Sequence, residues 1–519
     1  MSLPFQLLSL TSLLILFALS LSYYILLSIQ SWWRLRAFKG PPTASFSYLW
    51  IIRACQSGNM GDWFKRATKE YGNSATSSTV RIGPNDLLTA DPEVIRRMAT
   101  ARSRYTRSNW YAVQRVGPGG DSMFSHLDTA AHDKVKAKTA AGYSGKEVPG
   151  LEGRVDDTIA QLVGKIRTKY AASSARGLQQ QHKPFLDLAM MVQYFTLDSI
   201  TKIGFGEEFG YIRSEEDVYG YIALVTRLAS VVTLSANVPY LANIMSSTLV
   251  LNLMAPKITD KSGVGRVFYV TKEMVQERWA ADDKSRNDIL VRSPFPGSWM
   301  RHGLSQPECE TEVLFQLVAG SDTTATALRT TLLHIITSPR VCSALQAEID
   351  QGIRDGRISS PITNAESLRL PYLQAVIYEG LRMCPPFNGL VLKVVPPEGD
   401  SIDGVFVPGG TRIGHSVDAL LRDTAVFGED AELFRPERWV EAADEAAVAE
   451  MRRVTELVFG YGRWACAGKN IAFLEMNKVY VELLRVFDFQ IVYPARPWTS
   501  VNRSLWLQQD MWVRVTERH

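Results

Sequence analysis

The 519-residue sequence predicts a mainly α-helical domain with small β-sheets, preceded by a single N-terminal transmembrane helix. Three observations carry this. Long stretches of 3.6-residue apolar periodicity dominate beyond residue 45, strand-like pieces are short, and residues 7–29 are mostly Leu, Ile, Phe, Ala and Ser with no charge before Arg34. Composition is that of an ordinary globular chain, 46% hydrophobic and 21% charged with a net charge of +4. No Lys/Arg run marks a nucleic-acid-binding surface, and no 20–50-residue repeat appears.

At the N-terminus about 20 apolar residues suffice to cross a hydrocarbon core as a helix. Trp32 and Trp33 follow at interface depth, then Arg34, Arg36 and Lys39, a basic flank that leaves the bulk of the chain on the cytosolic side. A cleaved signal peptide fits less well, because the run is too long and lacks a basic start. Gly40-Pro41-Pro42 ends the helix. The expected layout is an anchor at 1–33, a basic, proline-containing hinge at 34–45 and a single large domain at 46–519. On this topology the sequon beginning at Asn502 stays unglycosylated.

Helical periodicity covers residues 153–170, 185–203, 307–336, 341–353, 372–383 and 469–486. Strand-like pieces lie at 79–83, 405–413 and 511–515. Residues 173–183 read as a polar surface loop and 441–450 as an exposed insertion or short helix. With no G-x-G-x-x-G and no P-loop, the chain carries no nucleotide-binding signature.

Five cysteines, Cys55, Cys309, Cys342, Cys384 and Cys466, are too scattered for a disulfide framework or a zinc site. Cys466 stands apart, within "FGYGRWACAG" at 459–468. A buried free thiol is the ordinary reading of such a residue. The flanking glycines, however, let backbone N–H groups approach the sulfur, and a strongly helical run follows, so a thiolate would sit near a helix N-terminus. That is what a haem iron needs as an axial ligand.

The loop resembles the haem-binding loop of the cytochrome P450 family, Phe-Gly-x-Gly-x-Arg-x-Cys-x-Gly, including Phe459. One position departs: Trp464 stands where the family usually has arginine, and Arg463 lies one residue earlier, a variant found in fungal members of the pisatin demethylase-like kind. Other stretches agree in order. "AGSDTT", with Ala319, Gly320, Asp322 and Thr323, resembles the family's oxygen-binding motif. There Thr323 steadies bound dioxygen, Asp322 relays protons, and the two small residues leave room. Thr323 can also bond back to a carbonyl of its own helix. Of six Glu-x-x-Arg matches, Glu379–Arg382 is the one whose position, before "FRPERW", fits the family's buried network with Arg438. His132 and Lys136, four apart, and Lys393 match basic positions against the haem propionates, with Arg463 a further contact.

The resemblance implies haem b as cofactor, iron bound by Cys466, and dioxygen-dependent oxidation of a hydrophobic small molecule. It further implies electrons from NADPH–cytochrome P450 reductase and residence in the endoplasmic reticulum membrane as a single-pass protein. Fungal secondary-metabolite biosynthesis is the expected setting. Oxidative rearrangement, desaturation or demethylation is the alternative to simple hydroxylation, and a non-catalytic membrane haem protein the distant one. Substrate-facing positions are expected in 109–124 and 205–252 and at Phe387, Leu390, Val391 and Leu505.

Overall fold

In a computed structural model of the chain, residues 10–72, 78–115, 120–145, 148, 150–172, 183–254, 257, 260, 263–280, 299–442 and 444–518 are described. The polar stretch at 173–183 lies outside them except for Lys183. Each periodic segment is a helix: Leu151–Lys169, Leu188–Phe205, Gln306–Thr337, Pro339–Arg354, Pro371–Met383 and Lys469–Leu484. Residues 441–450 contribute to the helix Glu445–Thr455.

The central element is the 32-residue helix Gln306–Thr337. Ser305 and Glu308 form a capping box at its start, satisfying orphan N–H groups reciprocally. It packs along Leu188–Phe205 and against Pro371–Met383. Two glycines permit these approaches. A Cβ on Gly320 would lie 2.8 Å from Ile200 Cδ1, and one on Gly380 would lie 1.9 Å from Thr331 Oγ1. The small size of Gly320 therefore serves helix packing.

The strand-like run at 405–413 divides into Val405–Val407 and Arg412–His415, which join different sheets. Pro408-Gly409-Gly410 turns the chain between them. Arg412–His415 lies in a five-stranded sheet between Asp86–Thr89 and Lys393–Val394, with Thr79–Gly83 and Thr106–Arg107 at the edges. The register sets Arg107 directly opposite Lys393. Trp512–Glu517 pairs with Phe487–Ile491 in a second sheet, and Thr499–Arg503 with Leu505–Gln509 forms a separate hairpin. Asn502 is buried there, its Oδ1 accepting the Gly61 N–H at 3.3 Å.

The helix Leu10–Arg34 is long and apolar enough to cross a membrane, and none of its apolar window is buried within the protein. Residues 34–45 are not a free hinge. Leu35 and Phe38 are buried in a core cluster with Leu87, Met98 and Ile413. Arg81, 1% exposed, donates to the carbonyls of Trp32, Ser45, Gly83 and Pro84 and to Ser31 Oγ. Its own amide donates to Lys39 O at 2.7 Å. A Cβ on Gly40 would lie 1.9 Å from Arg81 O, so this approach requires glycine.

Candidate active site

The Cys466 loop is bent by Gly460 and Gly462, both in the left-handed region at φ 69° and 52°. A Cβ on Gly462 would come within 2.3 Å of Ala99 O. The Cys466 amide donates to Phe459 O at 2.7 Å, closing the turn, and the Phe459 ring packs 5.4 Å from Phe473. Lys136 Nζ clamps the loop from below, donating to Arg463 O at 2.7 Å and to Ala465 O at 2.8 Å.

Cys466 keeps accessible surface although its sulfur lies deep in the protein, so it faces an interior space rather than the outer surface. Burial pushes the thiol up. The N–H groups of Gly468 and Lys469, at the start of Lys469–Leu484, and the charges of Lys136 and Lys469 oppose this without reversing it. A coordinating metal deprotonates a thiol outright.

Beside the loop, basic groups gather on Trp464. Arg107 lies 4.5 Å and Lys393 4.8 Å from its ring, and the His132 imidazole 4.6 Å. Like charges opposite one another on paired strands repel, yet Arg107 and Lys393 occupy such a pair. Burial and the charge of Arg107 push Lys393 well down and His132 to about 3, and burial brings Arg107 to about 10. Trp464 Nε1 and Arg107 Nε are buried without a hydrogen-bond partner among the described residues. Clustered basic groups and orphan donors fit a ligand carrying carboxylates, which would favour their charged forms, and haem b carries two. Together with an accessible sulfur donor, the residues present fit that group.

Arg463 sits at the edge of this cluster, its guanidinium 5.9 Å from the Trp464 ring. Its Nε pairs with Asp133 at 3.1 Å and its other nitrogens donate to Ser103 O and Ala101 O. The guanidinium ties the loop to the helix that carries Asp133. Sequence reasoning missed Arg107, whose signal lies only in its strand pairing with Lys393, and Trp464 as the centre of the cluster.

The other wall is the Gln306–Thr337 helix. Phe315, Ala319 and Thr323, spaced by four, form a partly accessible stripe along one face. Thr323 Oγ1 donates back to Ala319 O at 2.7 Å, and Phe315 stacks on Phe124 at 5.3 Å. Phe124 in turn contacts Tyr111, which lies under Arg107 and Lys393, so the stripe and the basic cluster border one space. Asp322 points elsewhere. It is buried beside Tyr221, whose hydroxyl is 3.5 Å away.

The Glu379–Arg382–Arg438 network forms as expected. Arg382 bonds Glu379 twice, at 2.8 and 2.9 Å, and Arg438 Nε reaches it at 3.0 Å. The Trp439 indole adds a donor at 2.9 Å. Leu390 is a core residue, fully buried, whereas Phe387, Val391 and Leu505 are only partly covered.

A thiol-bearing glycine loop, a basic anion site and a helix with a threonine stripe define a haem-thiolate oxygenase site on a mainly helical fold. The sequence profile described as Cytochrome P450 matches residues 40–511, and the chain belongs to that family. It is similar to cytochrome P450 monooxygenase ABA1 of Pyricularia oryzae, 47% identical over 486 residues covering 93% of each chain. Similarity to pisatin demethylase of Fusarium vanettenii is lower, 30% over 93% of this chain and 88% of that one. The solved structure titled as the haem domain of cytochrome P450DA superposes with a TM-score of 0.68 over 89% of this chain and 93% of that one, at 18% identity. The protein is a fungal-type cytochrome P450 monooxygenase using haem, with electrons supplied by a redox partner.

Proposed function

We propose that Cys466 is the axial ligand of haem b, that Arg107, His132 and Lys393 hold its propionates, and that Thr323 and Asp322 serve the oxidation of a hydrophobic small molecule from fungal secondary metabolism. The observation that carries this is the accessible Cys466 sulfur at a helix N-terminus beside an under-compensated basic cluster. When bound, a thiolate-ligated haem supplies dioxygen activation and insertion of one oxygen atom into a C–H bond.

Around that chemistry the chain has three tasks. Lys136 holds the loop carbonyls and so fixes the height of the sulfur. Thr323, on the accessible stripe, presents a hydroxyl whose own proton is committed to Ala319 O, leaving its oxygen lone pairs to accept from water or substrate. Asp322, one residue back and buried, takes protons from the opposite side of the helix and passes them on. The apolar groups Phe315, Phe124, Phe387 and Val391 exclude water and orient an apolar substrate.

Residues 1–33 act as the anchor and 46–519 as the catalytic domain, facing the cytosol from the endoplasmic reticulum membrane. NADPH–cytochrome P450 reductase is the electron donor, docking near Lys469 and Arg463.

The test is spectroscopic and chemical. The reduced full-length protein should give a red-shifted Soret band with carbon monoxide, and Cys466→Ala should abolish it; a surviving band would refute the ligand assignment. Co-expressed with its reductase and fed candidate metabolites, the enzyme should return a product heavier by one oxygen atom. A product of equal or lower mass would point instead to rearrangement, desaturation or demethylation.

A further inference from the structure

Two stretches of chain present partly covered apolar side chains beside one another: the segment after the Pro371–Met383 helix, at Phe387, and the 499–509 hairpin, at Leu505. An isolated antiparallel bridge pairs these two residues. Phe387 stands edge-on to Trp110 at 6.1 Å, Trp110 stands edge-on to Phe124 at 6.2 Å, and Phe124 stacks on Phe315. The ring thus continues an aromatic wall that ends on the central helix. It also lies over Gly389, where a Cβ would come within 2.3 Å of Phe387 Cζ, so its place follows the local backbone. That backbone is not relaxed. Val391 holds φ at 42°, in the left-handed region that a β-branched residue enters only at a cost. Such a conformation persists where the surrounding structure over-determines it.

A polar knot behind the wall supplies that constraint. The backbone N–H of Asn388 donates to Ser504 O at 2.7 Å, one residue from Leu505, and its side-chain Nδ2 donates to Asp418 Oδ2 at 2.6 Å. No other hydrogen bond reaches the Asp418 side chain among the described residues. Asp418 lies on the short helix Val417–Leu420, which packs on the helix Met60–Tyr71. Gly61 of that second helix closes the knot. Its N–H donates to Asn502 Oδ1 at 3.3 Å, and a Cβ on it would lie 1.9 Å from Asp418 Oδ2 and 2.5 Å from Asn388 Nδ2. Asn388 and Asn502 are buried, and the backbone N–H of Asn502 is itself used, donating to Gly58 O at 2.7 Å. Three polar side chains from distant parts of the chain therefore meet over one glycine, directly behind Phe387 and Leu505.

We propose that Asp418 is a positioning residue for substrate selection: by holding Asn388 it fixes Phe387 and, through Ser504, Leu505 as one wall of the substrate space. Without the contact the 387–391 segment is free to relax away from its strained conformation and carries the Phe387 ring with it. A bulky ligand then meets a displaced wall, whereas a small one does not. This rests on the reading of Phe387 as a substrate contact given above.

The experiment titrates the haem-loaded full-length protein with imidazole and with phenylimidazole, following the Soret shift as the ring nitrogen binds. The ratio of the two dissociation constants reads the room around the bound ring and does not depend on how much of the protein carries haem. In Asp418→Ala the ratio should move several-fold. In Asp418→Asn, which keeps an oxygen to accept from Asn388, it should stay with the wild type. Gly61→Ala, which drives a methyl group into the knot from a separate helix, should move it several-fold as well. A ratio unmoved in Asp418→Ala overturns the inference, and so does one moved as far in Asp418→Asn, since the charge rather than the contact would then be responsible. If Asp418→Ala does not load haem, Gly61→Ala decides it, and an unmoved ratio there is equally fatal. Phe387→Ala separates the two levels. A ratio equal to the wild type in that variant sinks the reading of Phe387 as a substrate contact, whereas one displaced there but unmoved in the knot variants sinks only the role of Asp418.

Discussion

At Glu379 both carboxylate oxygens are used, by Arg382, Arg438, the Trp439 indole and the Arg435 amide. Removing its charge strands two buried guanidinium groups, so Glu379→Gln should cost about 3–5 kcal/mol in chemical denaturation and prevent stable haem loading. Glu450–Arg453 has the same spacing but is exposed at 37% and 60%. Glu450→Gln should shift stability by no more than about 1 kcal/mol. Burial, invisible in either tetrapeptide, sets the difference. Glu475 is a second telling residue. It is buried on the helix that follows the Cys466 loop, its carboxyl accepts a hydrogen bond from the Ser199 hydroxyl, and burial pushes it up to about 8. A raised folded-state value means the stability linked to its proton is complete below the ordinary value of 4.5, is lost as pH rises from there through about 8, and changes no further above it. Glu475→Gln should therefore flatten the fall in Tm between pH 5 and 8, as read by thermal melts across that range. A slope equal to the wild type would show the carboxyl to be ionised already.

Among the elements, the central helix joins local and catalytic geometry. The Thr323 back-bond gives a hydroxyl a fixed direction on the helix. Thr323→Val keeps volume and loses that hydroxyl, so product per NADPH should fall several-fold with haem content unchanged, checked by parallel NADPH and product assays. Periodicity makes six helices legible because each buries one stripe against a neighbour, and the one motif on the central helix, residues 319–324, is placed by its resemblance to the family's oxygen-binding motif. Residues 221–237 and 264–280 were harder to read. The helix over 221–237 is apolar with little polar contrast, and its identity as a helix depends on what it packs against. The 405–413 run looked like one strand because alternation carries no information on which sheet each half joins. Likewise the cation site was half legible: His132 and Lys136 share a helix face, whereas Arg107 and Lys393 meet only through strand register 286 positions apart in sequence.

The whole molecule combines a helix able to cross a membrane with a domain that grips its end. Arg81 reaches five oxygen acceptors spread over residues 31–84, Tyr24 and Ser28 bond Phe46 O, and Arg34 donates to Gly409 O. Replacing Arg81 with Met leaves these carbonyls without their shared donor. The variant should fold and bind haem but be cut by trypsin near Lys39 or Arg36 at least several-fold faster than the wild type, as followed by gel densitometry. Such a joint behaves less like a tether than like a keel. A bilayer that held this helix would set the tilt of the domain, and the space in front of Cys466 would keep one bearing relative to the lipid. An apolar substrate dissolved in such a lipid would approach from a fixed side and depth, reducing its search for the site to two dimensions.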